Sequence, residues 1–275
     1  MNLASKLISR ATLIESREQS SVYLSFAMVF ILMAAYYMLR PVRDAMASDW
    51  SNSEISALWN IQFFLSLTVV GLFGIAVSKF NFRYLVPAVY GFFALSFVSF
   101  YFGSALVEQQ VLLDKAFYLW VSLFSLFHIS VFWSLMADLF DSEQSKRLFG
   151  FIAVGASAGA IFGPLVAAIV SQTFGSGALM LVASLMMLLP LPIIFTLQRL
   201  KLTSLNNREV EADVSNFRIG GSPLQGFLDF IKSPFLIGIA IFLLLYTAIG
   251  SFAYFEQANL LRAFERDQRT EILSL

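Results

Sequence analysis

Tyr36-Tyr37-Met38-Leu39-Arg40-Pro41-Val42-Arg43-Asp44 ends the first long apolar run of the chain with two arginines and an aspartate. In a continuing helix Tyr36, Arg40, Arg43 and Asp44 stand at i, i+4, i+7 and i+8, a single polar stripe on an otherwise apolar rod. A guanidinium at hydrocarbon depth costs at least about 2.5 kcal/mol, so such a stripe faces a bundle interior, a watery path or the headgroups. Two readings follow. Arg40 and Arg43 snorkel to lipid phosphate, or they turn into a cavity and hold an anion. Pro41 between them lacks an N–H and is expected to kink or end the helix.

Working outward, the chain has 275 residues, 58% hydrophobic and 13% charged, with a mean hydropathy of +0.75. That composition belongs to polytopic membrane proteins. Apolar runs long enough to cross a bilayer fall at roughly 22–44, 55–78, 84–106, 117–139, 148–171, 176–198 and 234–256,. The fold class expected is therefore an all-α polytopic membrane protein. Its parts are an amphipathic cytoplasmic arm over 1–21, a six-span bundle over 22–198, a linker with an interfacial helix over 199–233, a seventh span over 234–257 and an outer segment over 258–275.

With the N-terminus cytoplasmic, twelve of the 18 Lys and Arg lie inside and six outside, as the positive-inside trend requires. Arg40 and Arg43 are among the six. A basic pair that opposes the trend is a poor topological anchor, which favours the cavity-facing reading. No cysteine and one histidine, His128, leave no metal centre or disulfide to expect,. No cofactor is expected, and zero net charge offers no surface for a nucleic acid polymer,.

Other polar residues join the candidate list. Asn60 and Gln62 in the second span suit hydrogen bonds to a neighbouring helix, and Asn60, with Glu256 at the polar outer end of the seventh span, joins Tyr36, Arg40, Arg43 and Asp44 as a substrate-site candidate. His128, midway along the fourth span, is either a proton relay or a neutral ring bonded to a neighbouring helix. The third span, with Tyr84, Tyr90, Phe97 and Tyr101, reads as lipid-facing and packing. Asp138, Asp141 and Glu143 face Lys146 and Arg147 across a tight inner turn, either as a charge latch or as a solvated loop. Gly155, Gly159 and Gly163, at strict four-residue spacing before Pro164, offer a flat helix-packing face. Pro190 and Pro192 should bend or break the sixth span.

Gly155-Ala-Ser157-Ala-Gly159 has the letters of a nucleophile elbow, but it lies inside an apolar span rather than at a strand-to-helix turn. No phosphate-binding G-x-x-x-x-G-K-[ST] loop occurs,. The chain is expected not to be an enzyme.

Gly74-Ile-Ala-Val-Ser78-Lys79-Phe80-Asn81-Phe82-Arg83 resembles the loop signature of the major facilitator superfamily. Gly159-x-x-x-Gly163-Pro164 resembles the fifth-helix signature of its exchangers. Leu39, Arg40, Arg43 and Asp44, with Phe132-Trp133-Ser134 and Lys146-Arg147-Leu148-Phe149, are similar to the ATP/ADP antiporter (nucleotide translocase) group of that superfamily. The resemblance implies two six-helix halves, alternating access and exchange of nucleotides or other phosphorylated anions. Lys79 and Arg83, from the loop signature, join Asp138, Asp141, Arg147 and His128 as candidates for gating or coupling. A bacterial inner (plasma) membrane setting is expected, with the lipid bilayer and a small anionic solute such as a nucleotide as partners. Because the sequence stops after the seventh span, truncation is expected, with the C-terminal half or a second chain as a further partner. A proton-coupled or facilitated carrier of another solute is the alternative within the class, and a non-transporting sensor or scaffold on a half-transporter is the alternative outside it.

Overall fold

The computed structural model describes residues 14–48, 50–106, 110–203, 205 and 230–273, without the side chains of 105, 176, 257, 258 and 261–273. Among the described residues the chain is helical, with no strand. The helices are α1 (Gln19–Met46), α2 (Asn52–Lys79), α3 (Phe82–Leu106), α4 (Gln110–Leu139), α5 (Ser142–Phe174), α6 (Ser176–Met186), α7 (Pro190–Thr203) and α8 (Pro234–Leu273). Among the described residues seven stretches are long and apolar enough to cross a membrane, α6 and α7 together supplying the sixth,. The protein is thus the polytopic all-α type its apolar runs imply. The amphipathic arm and the interfacial helix expected before the seventh span fall mainly on 1–13 and 206–229, outside the described residues.

The described helices form two units. One holds α1, α2 from Leu58 onward and α3 to α7; the other holds Ser48–Ala57 and α8. In the first unit α1 is the central rod, burying Val22, Met28, Val29, Leu32, Ala35, Met38 and Leu39. Around it α4 contributes Phe117, Phe124 and Phe132, and α3 contributes Tyr90 and Phe97.

Small residues let α5 come closest to α1. A methyl group added at Gly155 would lie 2.7 Å from the carbonyl oxygen of Phe26, and one at Gly163 would lie 2.5 Å from that of Ala34. At Gly159 it would collide with the Phe30 carbonyl oxygen. Four-residue spacing keeps the three glycines on one face, so the backbones meet directly. Pro164 is on the exposed side of the same helix and takes no part in that face.

Proline behaves differently in the two places where a break is expected. Pro41 sits inside α1, which runs on to Met46. Its fixed φ suits a helix, and only one backbone bond is forfeited near the end. In the sixth span the helix does break. Leu188, Leu189 and Leu191 donate to Leu185, Met186 and Leu188, a tightened i to i+3 pattern, and Pro190 opens α7 where its missing N–H costs nothing,.

No residue in the most apolar window of α2 is fully buried. Its hold on the first unit comes from buried Leu58, a Phe73–Phe127 edge-to-face contact with ring centroids 5.3 Å apart, and Trp59. In the second unit Asn52 Nδ2 donates to Asn259 Oδ1 at 3.3 Å.

Candidate substrate site

Because α1 continues through Pro41, the stripe predicted from residue spacing exists as a helical face. Its two arginines have different surroundings. The Arg43 side chain is only 13% exposed, whereas that of Arg40 is 43% exposed. Arg43 turns toward α4. Its Nη1 donates to Ser122 Oγ at 3.3 Å, and its guanidinium carbon stands 5.3 Å from the centre of the Tyr118 ring, within cation–π range. Arg40 lies over Tyr37 at 5.7 Å. The headgroup and cavity readings therefore divide between the two residues: Arg43 is directed into the bundle, and Arg40 sits on its rim.

Asp44 faces both arginines at this end of α1. One of its oxygens, Oδ1, accepts from Arg43 Nε at 3.0 Å and from Nη2 at 2.7 Å. The other lies 3.6 Å from Arg40 Nε, across one turn.

Tyr118 and Ser122 lie four residues apart, so both meet Arg43 from one face of α4. The Ser122 hydroxyl donates to the Tyr118 carbonyl at 2.8 Å, leaving a lone pair for the guanidinium. The indole Nε1 of Trp59 donates to the Tyr118 hydroxyl at 2.8 Å and so ties α2 to this platform. Sequence reading missed Tyr118 and Ser122. They are an aromatic and a small residue in a span full of both, and only their spacing of four could have singled them out.

The remaining substrate-site candidates have other surroundings as well. Tyr36 stacks on His128 with centroids 4.8 Å apart. Asn60 is exposed on α2, and Glu256 is exposed on α8 in the other unit. Gln62 corrects the expectation of an amide bonded to a neighbouring helix, because its Nε2 donates to Ser66 Oγ on its own helix at 2.9 Å. Trp59 makes the crossing instead.

His128 is buried. Its Nδ1 donates to the Phe124 carbonyl at 3.1 Å, and Nε2 lies 3.3 Å from the Met33 sulfur. Its own carbonyl accepts from the Tyr90 hydroxyl at 2.8 Å. Both ring nitrogens are thus taken up by a carbonyl and a thioether. Tyr90, assigned to packing and lipid from sequence, is fully buried and supplies a polar bond between α3 and α4.

The charged residues of the opposite end pair differently from the expected latch. Arg147 Nη2 contacts Glu18 Oε1 at 2.9 Å and Glu15 Oε1 at 3.7 Å. Asp138 accepts from Lys201 Nζ at 2.9 Å. Asp141 caps α5, accepting from the backbone N–H groups of Glu143 and Gln144 at 2.9 and 2.8 Å, while Gln144 returns a bond to the Asp141 N–H. The free N–H donors of a helix start capture the nearest carboxylate. Arg147 and Lys201 then pair with carboxylates outside their own helices. Lys79 and Arg83 are exposed at the α2–α3 turn, where the Arg83 carbonyl accepts from Gln198 Nε2 at 3.0 Å. Among the described residues no group of His, Asp or Glu is arranged to hold a metal ion.

Among the described residues, seven apolar spans, with a mostly buried arginine near the end of the central helix of the first unit, define the class: a polytopic membrane protein. The model of the Major Facilitator Superfamily matches residues 25–263, and the chain belongs to that family of membrane transporters. No curated protein and no solved structure matches the chain. Members of the family are transporters, not enzymes.

Proposed function

We propose that this transporter exchanges organic or phosphorylated anions, nucleotides among them, by alternating access, with Arg43 as the principal anion-binding group. The observation that carries this reading is the guanidinium itself, mostly buried and turned toward Ser122 and Tyr118 rather than outward. An arginine in that setting is expensive unless it is paired, and its planar fork matches carboxylate and phosphate oxygens. Arg40, more open and one turn away, supplies a second positive charge at the rim. The likeness of Leu39, Arg40, Arg43 and Asp44 to the nucleotide translocases points the same way.

Uptake into proteoliposomes tests this with four radiolabelled probes: ATP, AMP, inorganic phosphate and succinate. At least one should be taken up by the native protein. Arg43→Gln should abolish that uptake while the protein still inserts and remains monodisperse in detergent. Unchanged uptake by the variant would remove Arg43 from the site, and no uptake of any probe by the native protein would remove the anion reading.

A further inference from the structure

We propose that Asp44 is a resident counter-ion which the transported anion displaces from Arg43, and that its presence lets the empty carrier return, so that net uptake accompanies exchange. The inference rests on the anion-binding reading of Arg43.

The two partners of the ion pair are held unequally. Arg43 is fixed by Ser122 Oγ and the Tyr118 ring on another helix and is 13% exposed; Asp44 is its neighbour in sequence and is 32% exposed. Both bonds from Arg43 go to a single oxygen, Oδ1. A rotation of the Asp44 side chain would release both donors while the guanidinium stays in place. An incoming carboxylate or phosphate oxygen would then take the same two N–H groups, and Asp44 would keep Arg40, which its other oxygen already faces at 3.6 Å. Charge follows this arrangement. Arg40, Arg43 and Asp44 together carry one net positive charge, which one anionic oxygen group on the substrate neutralises.

Transport follows from the same chemistry. A carrier that returns without substrate must close over its site, and closing over an unpaired buried cation is strongly unfavourable. A carrier lacking an internal counter-ion is therefore held to one-for-one exchange. With Asp44 on Arg43 the empty site is already paired, so closure proceeds. The same pairing lowers apparent affinity, because only the fraction of molecules with Asp44 turned aside accepts the anion.

The experiment compares Asp44→Asn with the native protein in proteoliposomes, using whichever of ATP, AMP, inorganic phosphate or succinate the native carrier takes up fastest. Uptake is measured into empty vesicles, which reports net transport, and into vesicles preloaded with the same anion, which reports exchange. The native protein should do both. In Asp44→Asn the half-saturating concentration should fall about tenfold as competition from the carboxylate ends, and net uptake should fall about tenfold relative to exchange as empty return becomes costly. Asp44→Glu should restore net uptake, and Asp44→Ser provides a second neutral variant should the asparagine protein fail to insert. Equal changes in net uptake and exchange in the neutral variants would overturn the counter-ion role while leaving Arg43 in place, provided Arg43→Gln abolishes uptake. If Arg43→Gln instead transports normally, the underlying reading falls as well.

Discussion

Arg43 and Arg147 are both arginines in close ion pairs, at 2.7 Å to Asp44 and 2.9 Å to Glu18. They stand at opposite ends of the bundle, since Glu18 and Arg43 are 25 positions apart along α1, roughly 37 Å at helical rise,. Distance does not distinguish the pairs, but location in the sequence does. Arg147 on α5 reaches a carboxylate 129 residues away that is fully buried just before α1. Arg43 bonds to the next residue. A pair between distant segments joins two helices and is lost only if they part, whereas a pair between neighbours joins nothing and is free to be exchanged. One end of the bundle thus uses charge to join distant segments, while at the other the close ion pair lies within a single helix.

The comparison can be broken most directly by removing each cation. Arg43→Gln is expected to eliminate anion uptake with little change in the thermal-unfolding midpoint in detergent. Arg147→Met should do the reverse, lowering stability by about 3 kcal/mol because Glu18 is left buried without its cation, with uptake reduced only in proportion to folded protein. Matching effects of the two substitutions on uptake per folded molecule would erase the distinction.

The glycine face tests whether the α1–α5 pair depends on helix contact as well as on the Arg147–Glu18 charge. Gly159→Ala places a methyl against the Phe30 carbonyl and should cost about 2 kcal/mol as α5 is pushed from α1. A midpoint equal to that of the native protein would show that the two helices tolerate separation. Lys201→Met should have a smaller effect, about 1 kcal/mol, because Asp138 is 19% exposed and can be hydrated once its partner is gone.

Several of these features could be read from residue order. The spans follow from run lengths near twenty, and both the stripe on α1 and the glycine face on α5 follow from helical spacing, which is a local property. The partners of the charges were not readable in the same way. Asp141, Glu143, Lys146 and Arg147 are adjacent in sequence, so a latch among them or a solvated loop is what residue order suggests. However, the start of α5 presents unsatisfied N–H groups that take Asp141, and tertiary packing brings Glu18 to Arg147 and Lys201 to Asp138. Tyr90 was similarly hidden, as an aromatic among aromatics whose hydroxyl finds the His128 carbonyl only when α3 meets α4. Pro41 shows the limit of a local rule. Of the two outcomes expected there, a kink or an end, the end does not occur, because a helix near its terminus can lose one bond and continue,.

The smallest effect expected concerns the support beneath Arg43. The Tyr118 ring under the guanidinium is linked to α2 by the bond from Trp59 Nε1. Trp59→Phe keeps an aromatic ring but deletes that donor, so the platform is loosened without being removed. The half-saturating anion concentration should rise about threefold to fivefold, corresponding to a bond worth about 1 kcal/mol or less, and the maximal rate should stay the same. Tyr118→Phe retains the ring and loses the same bond, so it should match Trp59→Phe, while Tyr118→Leu, which also loses the ring face, should be clearly worse. In an Arg43→Gln background the Trp59 substitution should add nothing to whatever residual transport can be measured. An additive loss there would mean that Trp59 acts on transport by a route other than Arg43, and the contrast between an anion-holding end and a helix-holding end would have to be redrawn around α2.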